Sequence, residues 1–204
     1  MRKAIVLFFI LLVGLPTLTH AQSAKEALMA LKKLQARTQA GISYKDYGNA
    51  LGEAKFPLNQ FFESKDAQKY PELSTSLRKA MTHYEYATLP WNHKMSSSSG
   101  FYIWVNSDIG KDIEQNYPNA RKDAYAGGAV RSNSYLVDLL LPLIWAEASK
   151  ELDIATKLYA KLEEESSDET ATLKKEIAKL KEEVARLKIE NDLLKELQRE
   201  KKGR

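Results

Sequence analysis

The chain of 204 residues contains no cysteine. That excludes a disulfide framework, thiolate metal sites, lipidated cysteine anchors, covalent haem and cysteine nucleophiles. Histidine is scarce too, with three in the chain. A di-iron bundle needs Glu-x-x-His pairs on two helices, but Ala80 stands three residues before His83 and Pro90 three before His93. The glycines form neither G-x-G-x-x-G nor G-x-x-x-x-G-K-Ser/Thr, so no nucleotide loop is present. No metal or cofactor is expected. The net charge is +4, falling to +2 without Arg2 and Lys3, a balance that gives no reason to invoke nucleic acid.

What is there begins with an address. Met1-Arg2-Lys3 supplies a positive start, Ala4 to Pro16 an apolar run, and Thr19-His20-Ala21 a small-residue end. This order predicts a signal peptide over residues 1–21, cleaved before Gln22. A retained anchor is the rival, but a span needs about 20 apolar residues and this run breaks at Gly14 and Pro16. The other apolar stretch, Tyr135 to Ala148, is short and holds Asp138 and Pro142. A core helix of a soluble mature chain is expected there, with no integral span after cleavage. The mature chain also lacks any Asn-x-Ser/Thr sequon. With the missing cysteines, this suits a bacterial periplasmic or secreted protein.

Residues 22–163 read as a helical bundle of about four helices. Ser23-x-x-Glu26 has capping-box spacing, and Ala24, Ala27, Leu28, Leu31 and Leu34 repeat at helical period up to Gly41. Ser43 opens a second helix with Tyr44, Tyr47, Leu51, Ala54, Leu58 and Phe61 or Phe62 on one face, kinked at Pro57. Pro71-Glu72 opens a third, with Leu73, Leu77, Ala80 or Met81, Tyr84 and Ala87, until Pro90. The links at 40–43 and 64–70 are short, which makes antiparallel neighbours. Residues 94–133 break the rhythm and read as a long insertion, with a turn or short helix beginning at Pro118 and closing near Gly127-Gly128. A fourth helix resumes from Ser134, with Tyr135, Leu139, Leu140, Ile144, Ala148, Leu152, Ala155 and Tyr159 on its apolar side. Asp138, Pro142, Ala146, Ser149 and Asp153 lie opposite.

The end of the chain follows another period. Glu163 to Asp168 is polar and is expected to end the bundle, with residues 164–168 as a hinge and Ser166-x-x-Glu169 restarting a helix over 169–204 that ends in a basic tail. Leu173, Leu180, Leu187 and Leu194 occupy d positions of a heptad, and Ile177, Val184 and Asn191 occupy a. Glu169, Glu176, Glu183 and Glu190 at g each precede by five residues an e-position lysine, Lys174, Lys181, Lys188 or Lys195. Each pair suits a bridge between two parallel helices.

Over about Glu169 to Leu197 the chain therefore resembles a leucine zipper, the parallel two-stranded coiled coil. The resemblance implies a homodimer, with Leu173, Ile177, Leu180, Val184, Leu187, Asn191 and Leu194 at its interface. It does not imply DNA binding, because the run before the first heptad, Glu163 to Glu169, is acidic where a DNA-binding zipper is basic. The alternative is a helix whose leucines fold back on the bundle.

No catalytic constellation is found. Ser76-x-x-Lys79 matches the Ser-x-x-Lys of penicillin-binding enzymes, but Ser-Asp-Asn and Lys-Thr-Gly are absent, and an exposed helix face is the expected role. Asp138 and Glu147 lie among apolar residues, but on the helix Asp138 heads the polar side, where a surface or loop-capping role is expected. The remaining feature is aromatic. Trp91, Phe101, Tyr102 and Trp104 fall in or beside the insertion, where they would either contact a ligand or partner or cap one end of the core. The expectation is an exported, non-enzymatic helical scaffold or interaction protein, with an envelope protein as a further partner. The alternatives are a periplasmic bundle that binds a small ligand or envelope polymer, and more remotely an envelope hydrolase.

Overall fold

The computed structural model describes residues 17–98, 100–120 and 133–202. The expected signal peptide therefore lies mostly outside the described residues, as does the segment from Pro118 to Gly127-Gly128 beyond Ala120. Among the described residues the protein is all-α apart from one two-stranded sheet. Among the described residues no helix is long and apolar enough to cross a membrane. The chain divides into two compact units between Tyr159 and Ala160.

In the first unit, helix α1 (Thr17–Ala40) buries Ala24, Ala27, Leu28, Leu31 and Leu34 and stops at Gly41, whose φ of +88° suits a residue without Cβ. The expected start at Ser23 is corrected: the helix is already under way at Thr17, and no Gly or Pro stands between Thr17 and Ser23 to interrupt it. The Ser23 hydroxyl instead donates across to Asp66 Oδ2 at 3.1 Å. Helix α2 (Tyr44–Glu63) starts as expected at Ser43, whose Oγ accepts from the Asp46 N–H at 3.1 Å. It continues through Pro57 and buries Tyr47, Ala50, Leu51, Ala54, Leu58 and Phe61.

The link at 64–70 is not a bare loop. One helical turn, α3 (Lys65–Lys69), fills it and buries Asp66 and Ala67. Helix α4 (Pro71–Tyr86) has Pro71 in its first turn, where the missing N–H has no partner to lose. It ends before Pro90, and α5 (Thr88–Ser96) restarts with Trp91 buried. The early break has a cause: Pro90 offers no N–H to the Tyr86 carbonyl, so the ladder cannot run through it.

The insertion is more ordered than its sequence suggests. Strand β1 (Tyr102–Trp104) pairs antiparallel with β2 (Ser134–Leu136), with Tyr102 opposite Leu136 and Trp104 opposite Ser134. Ser134 thus belongs to a strand, and the last helix begins at Val137, whose N–H bonds to the Phe101 carbonyl at 3.0 Å. Between the strands, α6 (Asp108–Asn116) begins at Ser107, whose Oγ accepts from the Gly110 N–H at 3.1 Å. A helix therefore precedes Pro118.

Helix α7 (Val137–Lys202) buries Val137, Leu140, Leu141, Ile144, Ala148, Leu152, Ala155 and Tyr159 in the first unit. The polar run Glu163 to Asp168, expected to end one helix and start another, keeps helical backbone. It contains no Gly or Pro, and polar residues alone do not break a helix.

Gly110 fixes how α6 meets β1. A Cβ there would overlap the Trp104 carbonyl oxygen and approach Val105 Cα to 2.8 Å. Backbone on both sides leaves nothing flexible to move. Gly110→Ala should therefore destabilise the first unit by about 1–3 kcal/mol in chemical denaturation. A variant as stable as the wild type would mean that α6 is free to shift away from β1.

Candidate functional site

The residues singled out in the sequence fall into three environments. Trp91 is in the core, not on a contact surface: its ring lies 5.0 Å from Tyr47, 5.6 Å from Trp145 and 5.8 Å from Tyr44. Phe101 and Trp104 are 56% and 45% exposed, and Tyr102 is exposed beside them, while Ile103 between Tyr102 and Trp104 is buried. The alternation follows from strand geometry, which sends successive side chains to opposite faces. Lys94 Nζ lies 5.0 Å from the Phe101 ring centre and also pairs with Asp138. Trp91 thus takes the core role that the sequence left open for these aromatics, a correction to its place among the contact residues, while the other three remain exposed.

The aromatic knot around Trp91 has one polar hub. Tyr47 Oη accepts from Trp145 Nε1 at 3.3 Å and donates to the Tyr84 carbonyl. That carbonyl lies in the last turn of α4, where helix carbonyls have no partner in their own ladder. Thr88 Oγ1 serves the neighbouring Glu85 carbonyl in the same way at 2.7 Å. Burial pushes the Tyr47 phenol well above its ordinary range. Tyr47→Phe would leave the carbonyl and the indole N–H without this partner, so unfolding free energy should fall by about 1–3 kcal/mol, read from the denaturant midpoint. An unchanged midpoint would show that water serves both groups as well as the hydroxyl does.

A second polar group joins α6 to α4. His83 Nδ1 lies 2.7 Å from Tyr117 Oη, and Tyr86 Oη donates to Asp112 Oδ2 at 2.6 Å. Burial lowers the His83 pKa, more than the carboxylates of Glu147 and Glu151 raise it. Burial also raises both Tyr86 and Tyr117, the former reinforced by Asp112 and the latter by Glu147. A neutral imidazole beside a neutral phenol is a polar tie, and the burial of Tyr117 suits that role. The sequence weighs His83 only as a metal ligand and gives no sign of this network, because its members come from two separate segments, 83–86 and 112–117.

The acids weighed in the sequence have surface roles. Asp138 pairs with Lys94, and Glu147 with Lys150 at 2.6 Å. Ser76 is buried rather than exposed, while Lys79 turns outward to Glu151 at 3.5 Å. His93 Nε2 lies 3.1 Å from the Tyr102 carbonyl and ties α5 to β1. A groove of about 470 Å³ runs between the last turn of α1 and α7. Thr38, Gln39, Trp145, Ser149 and Asp153 line it, so the polar side of α7 forms one wall. Among the described residues no group of three or more His, Asp or Glu is placed to hold a metal ion.

In the second unit every described side chain except the half-buried Leu162 is exposed. Leu173, Ile177, Leu180, Val184, Leu187 and Leu194 are each between 50% and 59% exposed, and Asn191 is exposed with them. Their spacings of four and three bring all seven to one face of α7. A comparison with protein families, with curated proteins and with solved structures finds no match to this chain.

The buried phenols make the first unit sensitive to alkali. Burial pushes Tyr84 up to about 12, with Ser149 and Thr38 pulling modestly the other way. An unfolded tyrosine ionises near 10. The contribution of Tyr84 is therefore complete below about pH 10 and is lost as pH rises towards 12. Denaturant midpoints should fall across that window together with the appearance of phenolate absorbance. A midpoint independent of pH there would mean that the phenol ionises in place without cost.

Proposed function

We propose that this chain is an exported helical scaffold or interaction protein that pairs with a second copy through a parallel coiled coil at its C-terminal end. The observation that carries this reading is the apolar seam from Leu173 to Leu194, half exposed along one helical face. An exposed stripe of this length has a physical cost in water, and burial against an identical stripe removes it. The charges select the occupant. Glutamates at g and lysines at e complement one another across a parallel, in-register pair.

β-branched Ile177 and Val184 at a, with leucine at d, favour two strands. Asn191 at the third a position satisfies its amide against its twin only in that register, so it sets alignment and stoichiometry. The signal-peptide pattern of residues 1–21 supports a periplasmic or extracellular setting for this pairing. A small-ligand role is the second reading, favoured by the groove beside Trp145.

The mature protein should sediment as a dimer at micromolar concentration. Val184→Asp should make it monomeric, and Asn191→Leu should strengthen association while admitting higher oligomers. The absence of native cysteine makes a second check clean: Leu180→Cys should form an interchain disulfide on mild oxidation only if the helices are parallel and in register. A monomer at tens of micromolar with the tail still helical would sink the seam pairing.

A further inference from the structure

The tail carries a second apolar patch that the seam does not use. Ile189, Leu193 and Leu197 are 65%, 56% and 55% exposed and recur every four residues. In the heptad frame they occupy f, c and g, and f and c face outward from a two-stranded coiled coil. Pairing through the a and d positions therefore leaves Ile189 and Leu193 in water.

Their neighbours on the outer face give the patch a direction. Arg186, Ile189, Leu193 and Glu196 are spaced by three, four and three residues, a short heptad seam of its own. Laid antiparallel against an identical face, Ile189 of one copy meets Leu193 of the other. In the same alignment Arg186 meets Glu196, at both ends of the contact. A parallel alignment would instead stack arginine on arginine and glutamate on glutamate. Among the described residues neither Arg186 nor Glu196 has an ion-pair partner within the chain.

We infer that the outer face formed by Arg186, Ile189, Leu193 and Glu196 joins coiled-coil dimers to one another in antiparallel fashion. The inference rests on the dimer proposed above and extends it. Two apolar layers make a weak contact, so it forms at concentrations well above those at which the a/d seam pairs. Each dimer carries two such faces pointing away from each other, so association continues past the tetramer into larger assemblies.

Charge reversal separates this contact from the seam. The mature full-length protein is compared by sedimentation at about 5 μM and about 300 μM, with helicity followed by circular dichroism. The wild type should be dimeric at the lower concentration, and its average mass should at least double at the higher. Arg186→Glu and Glu196→Arg should each hold the protein at the dimer, and the double variant should restore growth, because it recreates the pairing with signs exchanged. A wild type that stays dimeric at both concentrations, or a double variant that fails to recover, overturns the outer-face contact and leaves the seam intact. A monomer at both concentrations overturns the seam, and the outer-face contact with it.

Discussion

The first unit depends on one hydroxyl placed where a helix runs out. Helix α4 has to stop before Pro90, and its last carbonyls then need donors from elsewhere. Tyr47, on the buried face of α2, supplies one, and its oxygen takes the indole N–H of Trp145 from α7. Its ring packs against both Trp91 and Trp145, at 5.0 and 5.8 Å. Four elements thus converge on one side chain. A phenylalanine there would supply the same area but would leave buried polar groups without their partner, and such groups are costly in an apolar interior.

Around this knot the remaining ties are of lower value individually. Lys33 and Arg37 hold the Glu53 carboxyl below its usual range, and Lys55 meets Glu85 at 2.8 Å, but these groups are exposed. Exposed pairs orient α1, α2 and α4 more than they stabilise them. Specificity of packing comes instead from close backbone contacts. Gly100 leaves no room for a Cβ against the Lys94 backbone, and Gly110 none against Trp104 and Val105. Both lie next to β1, where a short strand must be clamped from two sides to persist with one partner.

The tail obeys different physics. Its helix is built from residues of high helical propensity, and contacts such as Lys195 to Asp192 at 3.0 Å add only tenths of a kilocalorie each. Apolar residues there alternate spacings of four and three, a mean period of about 3.5 rather than 3.6, and the proposed pairing with another helix rests on that period. Under the proposed pairing the stability of this element comes from association, so concentration is the variable that would set its state.

Whatever a residue owes to its near neighbours could be read along the chain. Ser43 as a cap, Pro71 in a first turn, Gly41 as a stop and the burial of Leu31, Leu58 and Leu77 follow from local hydrogen-bond needs and helical period. The heptad of the tail is likewise a local pattern. Contacts between distant segments were not readable in this way. Three residues are too few for an alternation to show, so the pairing of Tyr102 to Trp104 with Ser134 to Leu136 left no signal. Nor did the bond from Ser23 to Asp66, forty-three positions on, which competes with a perfectly good local capping pattern. Trp91 looked like its exposed neighbours Phe101 and Trp104 because aromatic character is the same inside and out. Which rings are covered is settled by the chain's return through Tyr47 and Trp145, since burial is a property of the assembled fold and not of any one segment.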